Sequence, residues 1–403
     1  MRILQINSVY KVGSTGKIVD CIGNVLRKHD NDVFTCYGIG ESYIDQYSQK
    51  ICTTPEHMFN ALLSRIRGIA YGGVYYSNIK IKRIIRKFNP DIVHIHCINA
   101  NMINVYSLLK FLAKNNIKTV ITLHAEFFYT AGCEHACECN KFKSFCNQCN
   151  IYKSKVGSYF LDRSYKAWKL MNEAFSFFHQ DNIIITAVSP WLADRAVSST
   201  ILNKFKVKYV PNGIDTDIFY PKVNNGLIQK VDYKKQILFV TPYYSEDTDD
   251  LKGGRFISQI AKSLKDYKFI VVASRVSHHL KARPTNVQLW GRAKSQEELA
   301  QLYSESDLTI ILSKRESFSM VTVESLCCGT PVAGFKAGGP ETIAIEEYSN
   351  FVTYGKLDLL IEAINLILHR NIDRDKLALI AKQRYSKENM ANLYSMVYNE
   401  LIH

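Results

Sequence analysis

The stretch Lys314-Arg-Glu-Ser-Phe-Ser-Met-Val-Thr-Val-Glu-Ser-Leu-Cys-Cys-Gly-Thr-Pro-Val332 decides the fold. It follows the apolar run Leu308–Leu312, which reads as a strand. Residues 313–318 then read as a loop, and Ser319–Cys328 as a helix closed by Gly329. Glu316 is therefore expected at the carboxyl end of a strand. The helix tip behind it offers unpaired N–H groups and the positive end of a dipole, which suits a diphosphate. Glu324 falls in the early turns of an otherwise apolar helix, where an ionised carboxylate is costly unless paired or hydrogen-bonded. Two readings stay open on the Glu-x7-Glu spacing alone. A ribose diol could supply two donors to Glu324, or backbone amides could hold it as a structural residue.

Outward from this stretch, short apolar runs alternate with amphipathic ones. Strands are predicted at Arg2–Ile6, Val33–Tyr37, Ile92–His96, Thr119–Thr122, Ile183–Val188 and Lys208–Val210. After Pro211 the series restarts with Gln236–Val240, Lys268–Ala273, Val287–Leu289, Leu308–Leu312 and Pro331–Phe335. Helices intervene, among them Lys17–Lys28, Tyr106–Asn115 and Ser295–Ser304, the last opening on a Ser-x-x-Glu capping box. Such alternation means parallel sheets with helices on both faces. Two series imply two doubly wound domains, with Pro, Asn and Gly breaking the pattern near Pro221–Asp232. The last helix, Ser386–Ile402, has no strand after it. Ligands of open parallel sheets bind outside the strands' carboxyl ends, so a cleft between the two domains is the expected site.

At 403 residues, 47% hydrophobic and 22% charged, the composition excludes a disordered, collagen-like or coiled-coil chain. No apolar run approaches the ~18 residues of a membrane span. The start, Met1-Arg-Ile-Leu-Gln-Ile, turns polar too soon for a signal peptide, and a cytosolic location is expected. The 11 Cys are then reduced thiols or metal ligands. The chain carries 51 basic and 37 acidic residues, a net charge of +14. Residues 1–200 hold 24 basic and 14 acidic of these, which suggests an anionic partner for the first half. Its densest cluster, Lys80-Ile-Lys-Arg-Ile-Ile-Arg-Lys87, sets Ile81, Ile84, Ile85 and Phe88 on one helical face and bases on the other. This fits a surface helix packed on a sheet. It also fits contact with a membrane surface, together with the apolar and basic stretch Met58–Tyr76.

The words around Glu-x7-Glu carry a resemblance. Residues 316–332, ending Gly-Thr-Pro-Val, resemble the donor-site signature of retaining glycosyltransferases of the GT-B fold, specifically glycosyltransferase family 4. Val210-Pro-Asn-Gly-Ile-Asp215 with Phe219 resembles the family's inter-domain link, and Lys252-Gly253 its phosphate-binding pair. Gly338-Gly-Pro-Glu341 and Gln301-Leu-Tyr-Ser-Glu-Ser-Asp307 match further segments. The resemblance implies two Rossmann-like domains facing a cleft. These are an acceptor domain over 1–210, a nucleotide-sugar domain over 211–385, and a helix over 386–403 packing back on the first. It implies that Glu324 binds ribose hydroxyls, Glu316 contacts the donor sugar near the reacting carbon, and Lys252 neutralises the diphosphate. It implies that the amides of Ser317, Phe318, Ser319, Met320 and Val321 cradle that diphosphate and that Arg292 lies near the nucleobase. Two departures stand out. No Arg precedes Lys252 in Thr241–Asp250, and Ser319 replaces the usual Gly.

In the first half, Gly13-Ser-Thr-Gly-Lys17 opens a helix but lacks the residues of a P-loop, since position 11 is Lys and position 18 Ile. By itself it reads as a tight turn. The resemblance places Gly13 and Gly16 near donor phosphate, and His124, at the end of the strand Thr119–Leu123, towards the donor sugar. His94 and His96 read as packing or acceptor-side groups. In the family no protein nucleophile is implied for Glu316, so the protein's task is positioning and stabilising the leaving group.

Cys133, Cys139, Cys146 and Cys149 fall within 17 residues, with His135 and Cys137 inside. A structural zinc site is one reading. Unliganded thiols in a loop and a redox pair are the others. The run His124–Cys133 resembles a subgroup of family 4 from polysaccharide clusters with this Cys spacing.

The expected function is retaining transfer of a sugar from a nucleotide-sugar to a glycan or lipid-linked saccharide in surface polysaccharide assembly, as for O-antigen or capsule, at the inner membrane face. No cofactor is expected for catalysis, and no nucleic acid partner. A GT-B-type epimerase or phosphorylase is the alternative within enzymes. A zinc-containing nucleic-acid-binding protein is the alternative of another class, disfavoured by the few bases (Lys141, Lys143) in the Cys loop.

Overall fold

The computed structural model describes residues 1–152, 158–228, 233–247, 250–278 and 283–403. The chain divides into two compact units, Met1–Val210 with Met390–His403, and Pro211–Asn389. The division falls after Val210. Pro221–Asp232, where composition breaks the pattern, is thus not the boundary. Pro221–Ile228 belongs to the second unit, and residues 229–232 lie outside the described residues.

Unit 1 is built on a parallel sheet of β1 (Arg2–Asn7), β2 (Asp32–Tyr37), β3 (Ser48–Lys50), β4 (Ile92–Ile95), β5 (Thr119–Leu123), β6 (Ile183–Ala187) and β7 (Lys206–Tyr209). Their order is β3-β2-β1-β4-β5-β6-β7. The central strands β4, β5 and β6 are buried along their whole length. Both faces are covered, which is why they read as continuous apolar runs. Among the described residues its α-helices are α1 (Gly13–Arg27), α2 (Thr54–Arg67), α3 (Tyr76–Phe88), α4 (Val105–Lys114), α5 (Ser164–Ser176) and α6 (Pro190–Val197). In α3 the expected inward face holds: Ile81 and Ile85 are buried, while Arg83, Arg86 and Lys87 are exposed. Its charges are carried as a surface helix carries them.

Unit 2 repeats the plan with β8 (Lys235–Tyr244), β9 (Tyr267–Val276), β10 (Val287–Gly291), β11 (Leu308–Ile311), β12 (Val332–Phe335) and β13 (Ser349–Val352). All are parallel, ordered β10-β9-β8-β11-β12-β13. Its helices are α7 (Ile257–Ser263), α8 (Gln296–Glu305), α9 (Met320–Cys327), α10 (Gly339–Ile343), α11 (Leu357–Leu368) and α12 (Arg374–Tyr385). Gly329 ends α9 at φ 73°, where a Cβ would come within 2.7 Å of the Arg374 carbonyl oxygen. Only glycine meets both demands.

The last helix, α13 (Lys387–Ile402), begins in unit 2 and belongs to unit 1 from Met390 on. Tyr394 and Tyr398 are buried there. The Tyr398 hydroxyl lies 2.6 Å from His94 Nδ1, and Tyr394's lies 3.0 Å from Thr122 Oγ1.

Candidate active site

In each unit the strand order reverses once, between β1 and β4 and between β8 and β11. Strand ends at such a reversal form the natural ligand crevice of an open parallel sheet. Both reversals carry polar side chains.

In unit 2 the chain leaving β8 returns through Asp250–Gly254, and the chain leaving β11 turns through Ser313–Ser319. Asp250 ties the first loop by accepting the Lys252 and Gly254 amides at 3.0 and 3.2 Å. Gly253 sits at φ 77°, and a Cβ there would lie 2.1 Å from the Leu312 carbonyl oxygen. Absence of a side chain thus lets the two loops touch. The Lys314 amide donates to the Leu251 carbonyl at 2.8 Å, closing the contact.

This contact delivers Lys252 to Glu316. Lys252 Nζ donates to Glu316 Oε1 at 2.8 Å, and Ser313 Oγ donates to the same oxygen at 2.5 Å. Burial pushes the Glu316 carboxyl up. The Lys252 ammonium and the Ser313 and Ser319 hydroxyls outweigh it and hold the group below its ordinary value. Glu316 is therefore an ionised carboxylate at neutral pH. Its backbone is fixed too: its amide donates to Ala337 O at 3.0 Å and its carbonyl accepts from Gly339 at 2.8 Å. Gly339 permits this, since a Cβ would lie 2.5 Å from the Ser317 carbonyl. Glu341 accepts the Ala337 and Gly338 amides, holding the Gly338–Glu341 turn.

Helix α9 starts directly behind this pair. Ser319 is its N-cap, accepting from the Thr322 amide at 3.3 Å. Its φ of 94° lies where L side chains rarely go. That conformation explains the Gly usual at this position of the resembled signature. Ser317, Phe318 and Ser319 are buried, and Met320 and Val321 half-buried. Glu324 is half-buried, and the Tyr303 hydroxyl donates to its Oε2 at 3.0 Å. Burial, and then the Glu324 charge, raise the Tyr303 hydroxyl well above its ordinary value, so it stays a donor.

Lys252, Glu316 and the start of α9 thus come together. Arg292 is exposed one residue past Gly291, the end of the edge strand β10, on the same carboxyl side of the sheet. Arg255, three residues past Lys252, donates to the Tyr354 hydroxyl at 3.3 Å and lies over the Phe256 ring. Ser313, Asp250 and Tyr303 were not singled out from sequence. Tyr303 stands in the quoted segment Gln301–Asp307, and that segment was the available signal.

In unit 1, Gly13 opens α1 at φ 65°, with open space where a Cβ would point. Gly16 packs beneath the turn, its carbonyl accepting the Lys11 amide at 3.2 Å. Both follow the end of β1. His124 follows β5, and His96 Nδ1 lies 3.3 Å from His124 Nε2. His94 and His96 are buried with ring centroids 3.8 Å apart. Burial pushes His124 down to about 4 and the other two well below their ordinary value. All three imidazoles are neutral at pH 7. His94 Nε2 lies 2.7 Å from Thr122 Oγ1, which continues to Thr186.

The four cysteines Cys133, Cys139, Cys146 and Cys149 line one cavity of about 20 Å³, enough for a single water-sized occupant. Burial drives the Cys146 thiol up to about 11, with Cys139 and Cys149 adding to the rise against the Ala131 amide. Among the described residues no group of three or more His, Cys, Asp or Glu side chains closes to metal-binding geometry. The loop is anchored by Glu126, which sequence reading passed over. Buried Glu126 accepts from Arg195 Nε at 2.7 Å, the Tyr129 hydroxyl at 3.0 Å and the Ala136 amide at 2.7 Å.

Comparisons with known proteins agree with this layout. Residues 26–218 match the model described as Glycosyltransferase Family 4, and residues 258–384 the one described as Glycosyl transferases group 1. N-acetyl-alpha-D-glucosaminyl L-malate synthase of Bacillus anthracis is 22% identical over 340 residues, which are 80% of this chain and 78% of that protein. A 41.2 kDa protein of uncharacterised function in the cps region of Klebsiella pneumoniae is 26% identical over 49% of this chain and 56% of its own. Anabaena HepE, solved in complex with UDP, superposes with a TM-score of 0.66 at 14% identity, covering 99% of this chain and 100% of that one.

Proposed function

On the premise that the chain is a glycosyltransferase of the GT-B fold, we propose that it moves a sugar, with retention of anomeric configuration, from a nucleotide-sugar to a saccharide acceptor. The acceptor is lipid-linked, and the product a surface polysaccharide of the O-antigen or capsule kind, made by a protein peripheral at the inner membrane face. The UDP complex of HepE supports the donor class, and the cps-region relative supports the polysaccharide role. The basic first half suits a pyrophosphate-linked lipid.

The observation that carries the reading is the Lys252–Glu316 pair beside the start of α9. An ammonium has three donors, and Glu316 takes one, so Lys252 can still meet a diphosphate oxygen. The first-turn amides of α9, through Ser317–Val321, hold the same group and stabilise the charge that grows on it as the glycosidic bond breaks. Glu316, ionised and rigid, accepts hydrogen bonds from the donor sugar. Glu324 accepts from the ribose diol on its side away from Tyr303. Arg292 flanks the nucleobase, while His124, a neutral imidazole, and the turn at Gly13 and Gly16 serve the sugar and phosphate.

Lys252 and the helix tip take the place of a divalent cation in this reaction. The Asp-x-Asp run Asp215-Thr-Asp217 is engaged elsewhere: Lys387 Nζ donates to both carboxylates. A structural zinc, were one held by Cys133, Cys139, Cys146 and Cys149, would fix the loop over 133–149 and take no part in transfer.

The test is turnover of nucleotide-sugars by Glu324→Ala and Lys252→Ala, each checked for unchanged melting. Both should lose transfer by at least about a hundredfold, the scale of one lost transition-state donor. Full activity in Glu324→Ala would remove the donor-site assignment.

A further inference from the structure

Helix α2 is built inside out. Its buried residues are polar, Asn60 and Ser64. Its solvent face carries Met58, Phe59, Leu62 and Ile66, each between 46% and 65% exposed. The spacing i, i+1, i+4, i+8 makes one stripe along the helix. Hydrogen bonds tie the inward face to the chain that follows. Glu56 accepts from the Ser77 amide and hydroxyl, and Asn60 Nδ2 donates to Val74 O at 2.9 Å.

Further exposed apolar residues lie near both ends of the helix. Val74 and Tyr76, 76% and 54% exposed, adjoin its beginning. At its end the Tyr159 amide donates to Arg65 O, bringing up the exposed Tyr159, Phe160 and Leu161. Monomeric proteins seldom leave large apolar patches facing water.

Where α2 ends, a groove of about 570 Å³ opens between α3, α4 and α5. Five bases line it: Arg67, Lys82, Lys110, Lys114 and Lys166. No acid lines it, and of the five only Lys110 makes a described ion pair, with Glu173. Such a groove attracts anions strongly.

We propose that this face of unit 1 docks on an anionic phospholipid bilayer. The α2 stripe enters at the level of the headgroups, and the groove seats lipid phosphates. A bilayer offers what both halves need side by side, apolar chains under a sheet of negative charge. A second copy of the chain, itself at +14, offers the groove no such charge. The inference deepens the lipid-linked acceptor reading by assigning the surface that reaches the lipid, and it is measured without donor or acceptor.

Full-length protein is floated with vesicles of phosphatidylcholine alone and with vesicles containing phosphatidylglycerol. It should rise with the anionic vesicles and stay down with the neutral ones. Phe59→Ser with Leu62→Ser, and separately Lys114→Glu with Lys166→Glu, should each cut flotation at least about tenfold. Excess inorganic phosphate should not release the protein. None of the four positions is among the donor-side residues, and a soluble acceptor does not call on the lipid-facing surface. Transfer to a soluble acceptor should therefore be unchanged, and its loss alone would strike the enzymatic reading instead. The proposal is overturned if the protein ignores anionic vesicles, if both double variants float like the parent, or if Phe59→Ser with Leu62→Ser instead dissolves a solution dimer.

Discussion

Ser319 shows how a single residue can be strained and useful at once. Its positive φ costs on the order of 1–3 kcal/mol for a residue with a Cβ, while its hydroxyl caps α9 and supports Glu316. Ser319→Gly should leave the melting temperature unchanged or raised, because a glycine cap loses only a few tenths of a kcal/mol. Ser319→Ala keeps the strain, loses the cap and should be less stable by about 1 kcal/mol. Thermal melts of the two variants decide the matter, and a glycine variant less stable than the alanine one would contradict it. At this scale the sequence was most readable where a residue type is improbable in its setting. Glu324 stood out as an acid in an otherwise apolar helix, and Glu316 as an acid in the loop at the carboxyl end of a strand. Ser313 and Tyr303, which steady them, are ordinary residues in ordinary places, and only folding reveals whom they touch.

At the scale of elements, long apolar strands and capped helices were legible, and short edges were not. The strand β3 is three residues, Ser48–Lys50, and β13 is four half-buried ones. Neither has enough length for a period to show. The inversion of α2 was likewise hidden, because a helical stripe in the sequence does not say which side faces the core. The Cys loop is the element whose chemistry can be settled directly. If Cys133, Cys139, Cys146 and Cys149 close on zinc, purified protein should contain about one zinc per chain, the stoichiometry of a four-thiolate structural site. A chelator, or Cys139→Ser with Cys149→Ser, should lower the melting temperature. Metal-free protein with an unchanged melt would leave the loop to Glu126 and Arg195 alone.

For the molecule as a whole, the buried histidines predict an acid limb in stability. His124 has a folded value near 4 against 6.5 for the free side chain. Between those values the unfolded chain binds more protons, so stability rises with pH there and falls as the solution is acidified from 6.5 to 4. A shift of this size carries on the order of 3 kcal/mol, and His94 and His96 act in the same direction. Urea melts across this window should show the loss, and His124→Gln should flatten it. A flat parent profile would mean that the imidazoles are not held neutral.

The two-sheet plan was readable because each strand–helix pair declares itself locally. The resemblance implies a last helix over 386–403 packing back on the first domain; what only the folded chain discloses is which groups that helix meets. Two tyrosines near the C-terminal end of the sequence supply hydroxyl partners to His94 and Thr122, deep in the first sheet. A fragment cut after Val210 would keep those strands and forfeit their plug. Anyone wishing to express unit 1 separately would have to graft the closing helix back on, much as a jar is useless without its lid.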